Sequence, residues 1–158
     1  MEYSFKNYNK EHMARAYGSS LRISTKHSVE IANLLRGKTL QRAKSILNAV
    51  IRKEQAVPFK RRNRDVAHKT GMSAGRYPVK AASEILKVLE SAEKNAQFLG
   101  LDTSSLVVKS IIANKATIIH KYGRKRGRTG KNTHVEVTLE ETKKESRDKK
   151  QKKEGENK

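Results

Sequence analysis

The chain has 158 residues, enough for one domain with a real core, and carries 36 Lys and Arg against 16 Asp and Glu, a formal net charge of +20. That excess repels itself in a compact body and points to a polyanionic partner, nucleic acid ahead of an acidic membrane surface. The absence of cysteine excludes a disulfide framework, a thiolate metal site and a cysteine nucleophile.

The first residues, "MEYSFKNYNKEHMARAYG", hold no apolar run of signal-peptide length, and no stretch is long enough to span a bilayer, so a soluble, intracellular protein is expected. Residues 1–13 read as an N-terminal extension. "AYGSSLRIS" alternates as a strand does, with Tyr17, Leu21 and Ile23 on one side. A helical pattern follows in "ISTKHSVEIANLLRG", with Ser24 placed to cap its start and Gly37 to end it. Val29, Ile31, Ala32, Leu34 and Leu35 provide its apolar face.

The second helix, "TLQRAKSILNAVIRKE", starts from Thr39 and aligns Leu40, Ala43, Leu47, Val50 and Ile51, leaving Arg42, Lys44, Arg52 and Lys53 off the stripe. The third, "YPVKAASEILKVLESAEKNAQFLG", has Pro78 at its first position and Gly100 just past its end. Its stripe is Ala82, Ile85, Leu86, Leu89, Ala92, Ala96 and Leu99, with Glu90 and Lys94 spaced as a favourable surface pair. From Val107 to Ile119 the chain is β-branched but alternates imperfectly, whereas "HVEVTLE" alternates cleanly through Val135, Val137 and Leu139. These two strands predict a long hairpin over 105–139, within a folded unit of 14–139. The tail 140–158 has eight Lys and Arg, six Asp and Glu, and no aliphatic, aromatic or sulfur side chain. It is expected to be disordered or a solvated helix and dispensable for folding, which leaves +18 on the rest.

The strongest functional signal is the segment joining those strands, "HKYGRKRGRTGKN". Lys121, Arg124, Lys125, Arg126, Arg128 and Lys131 follow one another without an acid, and Gly123, Gly127 and Gly130 recur between them. A free loop of that charge density repels itself, whereas against phosphates each contact releases counterions, and glycine lets the backbone come close. The plainer reading is a solvated hairpin loop; nucleic-acid contact is favoured over it.

A second cluster, "VPFKRRNRDVAHKTGMSAGRYP", holds Lys60, Arg61, Arg62, Arg64, His68, Lys69 and Arg76 in a connection of about twenty residues, a length unusual unless functional or mobile. Phe59 and Tyr77 are read as anchors for its ends rather than base-stacking platforms, and the plainer reading is a flexible basic linker. His12, His27, His68, His120 and His134 show no metal-ligand pairing. His134 orients the base of the hairpin on this reading. The closest acids, Glu84, Glu90 and Glu93, lie on a helix among lysines and read as a solvated face rather than a two-metal site. Neither a phosphate-cradling Gly-x-x-x-x-Gly-Lys motif nor a Gly-x-Ser-x-Gly elbow occurs. Membrane binding fits poorly, since the second helix spends its apolar stripe on the core and interfacial aromatics are scarce. No enzyme, no metal and no cofactor are expected.

Several segments in order resemble the large-subunit ribosomal protein twenty-two family (number seventeen in the eukaryotic large-subunit naming). They are "ARAYGSSLRISTKHSVEIANLLRGK", "VPFKRRN", "GRYPVKAASEILKVLESAEKNAQFLGLDT" and "THVEVTLEE", and they run from about Ala14 to Glu141. The insertion "VPFKRRN…GRYP" looks like the archaeal and eukaryotic branch.

The resemblance implies an α+β fold, three helices packed on a small antiparallel sheet with a long projecting β-hairpin. It also implies a cytoplasmic role on the ribosome, where the body binds large-subunit ribosomal RNA beside neighbouring ribosomal proteins. The hairpin tip, Arg124, Lys125, Arg126, Gly127 and Arg128, would line the polypeptide exit tunnel and meet the nascent polypeptide. Arg126 stands where archaeal members carry a small apolar residue, and the stretch from Thr129 to His134 is shorter than theirs. Gly18, Ser24, Lys26 and His27 correspond to the family's N-terminal segment beside RNA, and Arg61, Arg62 and Arg76 to its basic loop. The RNA-binding set is thus Arg15, Arg22, Lys26, His27, Lys60, Arg61, Arg62, Arg64, His68, Lys69, Arg76, Lys121 and Lys131, with no membrane or small-molecule substrate. The alternative is a free-standing architectural nucleic-acid-binding protein that coats DNA or RNA without a fixed place in a particle.

Overall fold

The cleanest alternation in the sequence becomes the strand around which the sheet is built. In the computed structural model, which describes residues 3–61 and 63–142, strand β7 (Thr133–Glu141) lies between β1 (Met13–Leu21) and β4 (Leu106–Lys115), antiparallel to both. Val135, Val137 and Leu139 of β7 are fully buried on one face. Beside them in register stand Gly18, Ala16 and Ala14 of β1 and Ala113, Ile111 and Val108 of β4. Three helices cover this face: α1 (Thr25–Leu35), α2 (Leu40–Ile51) and α3 (Val79–Phe98). The result is the expected α+β arrangement, with Leu35, Leu40, Leu47, Ile85 and Leu89 closing the core. Each such side chain contributes roughly 1.5–3 kcal/mol on burial. None of the described helices is long and apolar enough to cross a membrane.

The helix ends follow sequence chemistry with two adjustments. The Thr39 hydroxyl accepts the Arg42 N–H at 3.4 Å, as its position predicts. Ser24 stands at the start of α1 but makes no side-chain cap; its carbonyl instead accepts from the Ser28 N–H and hydroxyl. Pro78 precedes α3 by one residue rather than opening it, and its carbonyl accepts the first backbone bond, from Ala82. Gly37 and Gly100 both take φ of +76°, the left-handed conformation that ends a helix at least cost to glycine. Glu90 and Lys94 form no ion pair among the described residues. Glu93 pairs instead with Lys44 of α2, and Glu84 with Lys87. The turn after α1 also protects a sheet edge: Gly37 N–H donates to Val108, Lys38 accepts from Val108, and the Arg36 guanidinium donates to the Ile111 carbonyl.

Strand β1 corrects the expected facing. Its inward residues are Ala14, Ala16 and Gly18, while Tyr17 lies on the opposite face. The reason is the close approach of α3, since a Cβ on Gly18 would stand 2.8 Å from methyls of both Val88 and Leu21. Leu21 and Ile23 do reach the core, after the register breaks between Gly18 and Leu21 and Ser20 adopts φ of +49°. A second break, between Val108 and Ser110, accounts for the imperfect alternation of β4.

The N-terminal segment crosses the other face of the sheet. Ser4 donates its N–H and hydroxyl to the buried Glu136 carboxylate at 2.8 and 3.0 Å, and the Asn114 amide donates to the Ser4 hydroxyl. The Arg15 guanidinium lies between the rings of Tyr3 and Tyr8, at 3.9 and 4.4 Å from their centres. Tyr3 meets Tyr17 edge-on, and Tyr17 stacks on His134. A carboxylate in the middle of a central strand is thereby hydrogen-bonded rather than stranded.

Gly18→Ala is expected to destabilise the fold by about 1–3 kcal/mol through overpacking against Val88 and Leu21. Urea unfolding would show a lower midpoint with an unchanged slope. An unchanged midpoint would mean that α3 yields freely at this crossing.

Candidate nucleic-acid interface

Three segments far apart in sequence converge at the hairpin end of the sheet around an open groove of about 1100 Å³. One wall is the start of α1, from Ser24 to His27. The second is the basic connection, with Arg61, Asn63, Arg64, Asp65 and Arg76. The third is formed by the two arms of the hairpin beyond β4 and before β7, Lys115–Ile118 and Thr129–Asn132. Six cations, Lys26, Arg61, Arg64, Arg76, Lys115 and Lys131, face two acids, Glu30 and Asp65.

Local chemistry holds each wall in place. Phe59, 4% exposed, is the pedestal: His27 meets its ring edge-on at 5.4 Å and the Arg76 guanidinium lies over it at 5.6 Å. Short strands β2 (Val57–Pro58) and β3 (Gly75–Arg76) pair to close the connection at its base. Glu30, buried in α1, accepts the Arg61 backbone N–H at 2.9 Å, so the loop is tied to the helix by an acid already committed to a hydrogen bond. Thr133 bonds the Thr25 hydroxyl at 2.8 Å and donates to the Ile23 carbonyl at 3.0 Å, fixing the start of α1 to the base of β7. No side chain caps the first turn of α1 and no acid lies in it, so the positive end of the helix dipole stays available to an anion.

This electrostatic setting acts on His27. Burial, then the nearby charges of Lys131 and Arg76, lower its pKa from the ordinary 6.5, so the imidazole is neutral at physiological pH.

Beyond the groove the hairpin narrows. β5 (Ile119–His120) and β6 (Thr129–Gly130) form one short rung, and the Lys121 N–H donates to the Arg128 carbonyl at 3.0 Å. A 3₁₀ turn over Gly123–Lys125 follows, opened by Gly123 at φ of +72°. Arg124, Arg126, Gly127 and Arg128 are all exposed there. The side chain of Lys125 and the whole of Arg62 fall outside the described residues.

Of the sequence-derived set, the groove gathers Lys26, His27, Arg61, Arg64, Arg76 and Lys131. Arg22, Lys60, His68 and Lys121 are exposed but do not line it, and Lys69 lies near the Tyr77 ring at 5.5 Å. Arg15 belongs to the tyrosine cage on the outer face of the sheet. Lys115 and Asn63 line the groove without having been singled out from sequence. The only signal for Lys115 was its place as the last cation before the hairpin narrows. Phe59 is the anchor it was expected to be, and His134 does fix the hairpin base, its Nδ1 accepting the Ser20 N–H at 3.1 Å.

The pattern of the family described as ribosomal protein L22p/L17e matches residues 16–140. The large ribosomal subunit protein uL22 of Methanopyrus kandleri is 47% identical over 140 residues, 83% of this chain and 88% of that protein. Its counterpart in Methanococcus aeolicus is 46% identical over 81% of this chain and 89% of its own length. That of Thermoplasma acidophilum reaches 50% over 75% of this chain and 79% of its own. With the matched span running from the middle of β1 to the end of β7 and so containing the groove and the hairpin, the chain belongs to the ribosomal protein L22p/L17e family.

Proposed function

We propose that this protein is a structural constituent of the large ribosomal subunit that binds its ribosomal RNA through the groove and the hairpin, aids assembly of that RNA, and lines the polypeptide exit tunnel with the hairpin tip. The family is one of structural proteins rather than enzymes. The observation that carries the reading is the convergence of six cations and an uncapped helix start on one groove whose third wall continues into the cationic tip. Phosphates laid along it would neutralise a charge that the fold alone cannot relieve, and each one bound would release counterions. A rigid concave wall of this kind reads folded RNA by shape and backbone rather than by base edges. The slender tip, with little side-chain bulk at Gly123 and Gly127, suits an RNA-walled channel in which a nascent chain passes. A free-standing coating protein has no comparable support, since the uL22 relatives are named as large-subunit components.

Two measurements test this placement. Replacing Arg124, Arg126 and Arg128 with alanine leaves the fold intact, because the tip is exposed. It lowers the salt slope of ribosomal RNA binding by roughly one for each phosphate that the tip no longer neutralises. An unchanged slope would place the tip away from phosphate. The second concerns pH. Phosphates in the groove favour the imidazolium of His27, so binding takes up a proton there. Affinity then rises as pH falls below neutrality, by at most roughly tenfold per pH unit, and levels off below the depressed pKa of the free protein. His27→Gln removes that dependence; persistence of the same pH profile in the variant would exclude His27. In the free protein the sign is opposite. The unfolded chain binds the proton more tightly, so stability is lost as pH falls below about 6.5.

A further inference from the structure

Four of the five tyrosines have partners for their rings. Tyr3 and Tyr8 enclose Arg15, Tyr17 stacks on His134, and Tyr77 faces Lys69. Tyr122 has none among the described residues, and it is 93% exposed. It stands within the densest run of cations in the chain, between Lys121 and Arg124. A ring left this bare gains nothing for the fold, and a polar residue would serve a solvated loop better.

The backbone around it is shaped for a flat ligand. Tyr122 is extended, at φ of −88° and ψ of 172°, and lies two residues past β5, after Lys121. The two-residue period of an extended chain therefore puts His120 and Tyr122 on one side, with Ile119 and Lys121 on the other. Two residues of extended chain cover roughly 7 Å, about twice the 3.4 Å spacing of successive bases along a strand. A planar base fits between two rings so placed. Gly123 then turns the chain away, and a Cβ at either Gly123 or Gly127 would meet no heavy atom within 4 Å, so the tip is uncrowded at both glycines.

We infer that Tyr122 is a base-stacking platform, taking one unpaired base of the large-subunit RNA on its ring while Arg124, two residues on, neutralises a flanking phosphate. The inference rests on the RNA-bound tip proposed above and deepens it: the tip would hold a nucleotide flipped out of its helix, not the sugar–phosphate backbone alone. Stacking is tolerant of base identity, so no particular base is required.

The test uses large subunits from cells carrying wild-type protein, Tyr122→Phe, Tyr122→Ala or the triple alanine variant of Arg124, Arg126 and Arg128 as the sole copy. Their RNA is probed by 2′-hydroxyl acylation, which marks mobile nucleotides, after sedimentation has shown each protein to be present in full amount. Phenylalanine preserves the wild-type pattern, whereas Tyr122→Ala raises the reactivity of one or two unpaired nucleotides by about fivefold or more. If Tyr122→Ala leaves every nucleotide at its wild-type level while the triple variant changes some, the tip lies on RNA but the ring does not stack, and this inference alone falls. If neither changes any nucleotide, the RNA-bound tip falls with it. Phenylalanine behaving like alanine would overturn stacking in favour of a hydroxyl contact.

Discussion

Everything in this fold depends on one strand, β7, being flanked on both sides by hydrogen-bonded neighbours. Its pairing with β4 is local, closed by the hairpin between Lys115 and Thr133. Its pairing with β1 joins Met13 to Glu140 across almost the whole described chain. Strand β1 has no other neighbour in this sheet. The long loop that this closes costs entropy, which the fully buried Val135, Val137 and Leu139 must offset. The requirement also fixes the functional geometry, because the same strand begins at Thr133, where its hydroxyl holds Ile23 and Thr25. The start of α1 and the base of the hairpin are thus joined at one point.

A body this basic survives by separating its tasks. The sheet's inner face is apolar and covered by helices, and its outer face is closed by the N-terminal segment with Ser4 on Glu136 and tyrosines around Arg15. Six of the cations gather at the hairpin end, where the Phe59 ring supports Arg76. Ion pairs contribute little: Lys44–Glu93 and Lys109–Glu140 are partly exposed and lie on helices and sheet away from the groove. On the proposed reading, neutralisation of the groove is left to a polyanionic partner.

Much of this could be read from residue order. The stripe of α2, that of α3 as far as Ala96, the Thr39 cap and the alternation of Val135, Val137 and Leu139 reported their burial directly, because a core face with a fixed period leaves its mark in sequence, whereas Leu99, just past the end of α3, is half exposed. Strand β1 did not. Its core residues are Ala14, Ala16 and Gly18, small because α3 crosses close by, and the large Tyr17 that dominates the local pattern is turned toward the N-terminal segment. That segment's contact with Glu136 had no periodic signature at all, since it rests on single hydrogen bonds between residues 4 and 136. The groove was legible as two separate basic clusters. Their meeting with the bare start of α1 required the tertiary structure, as did the place of Lys115 between them.

The most direct measurement of the central claim is sucrose-gradient sedimentation of a cell extract, following this protein before and after a high-salt wash. An integral structural constituent stays in the large-subunit peak, near one copy per particle, because shape fit persists when exposed phosphate contacts are screened. Loss to the top of the gradient, or spread over all nucleic acid in proportion to its amount, would contradict a fixed place in the subunit and leave only a basic fold that binds polyanions.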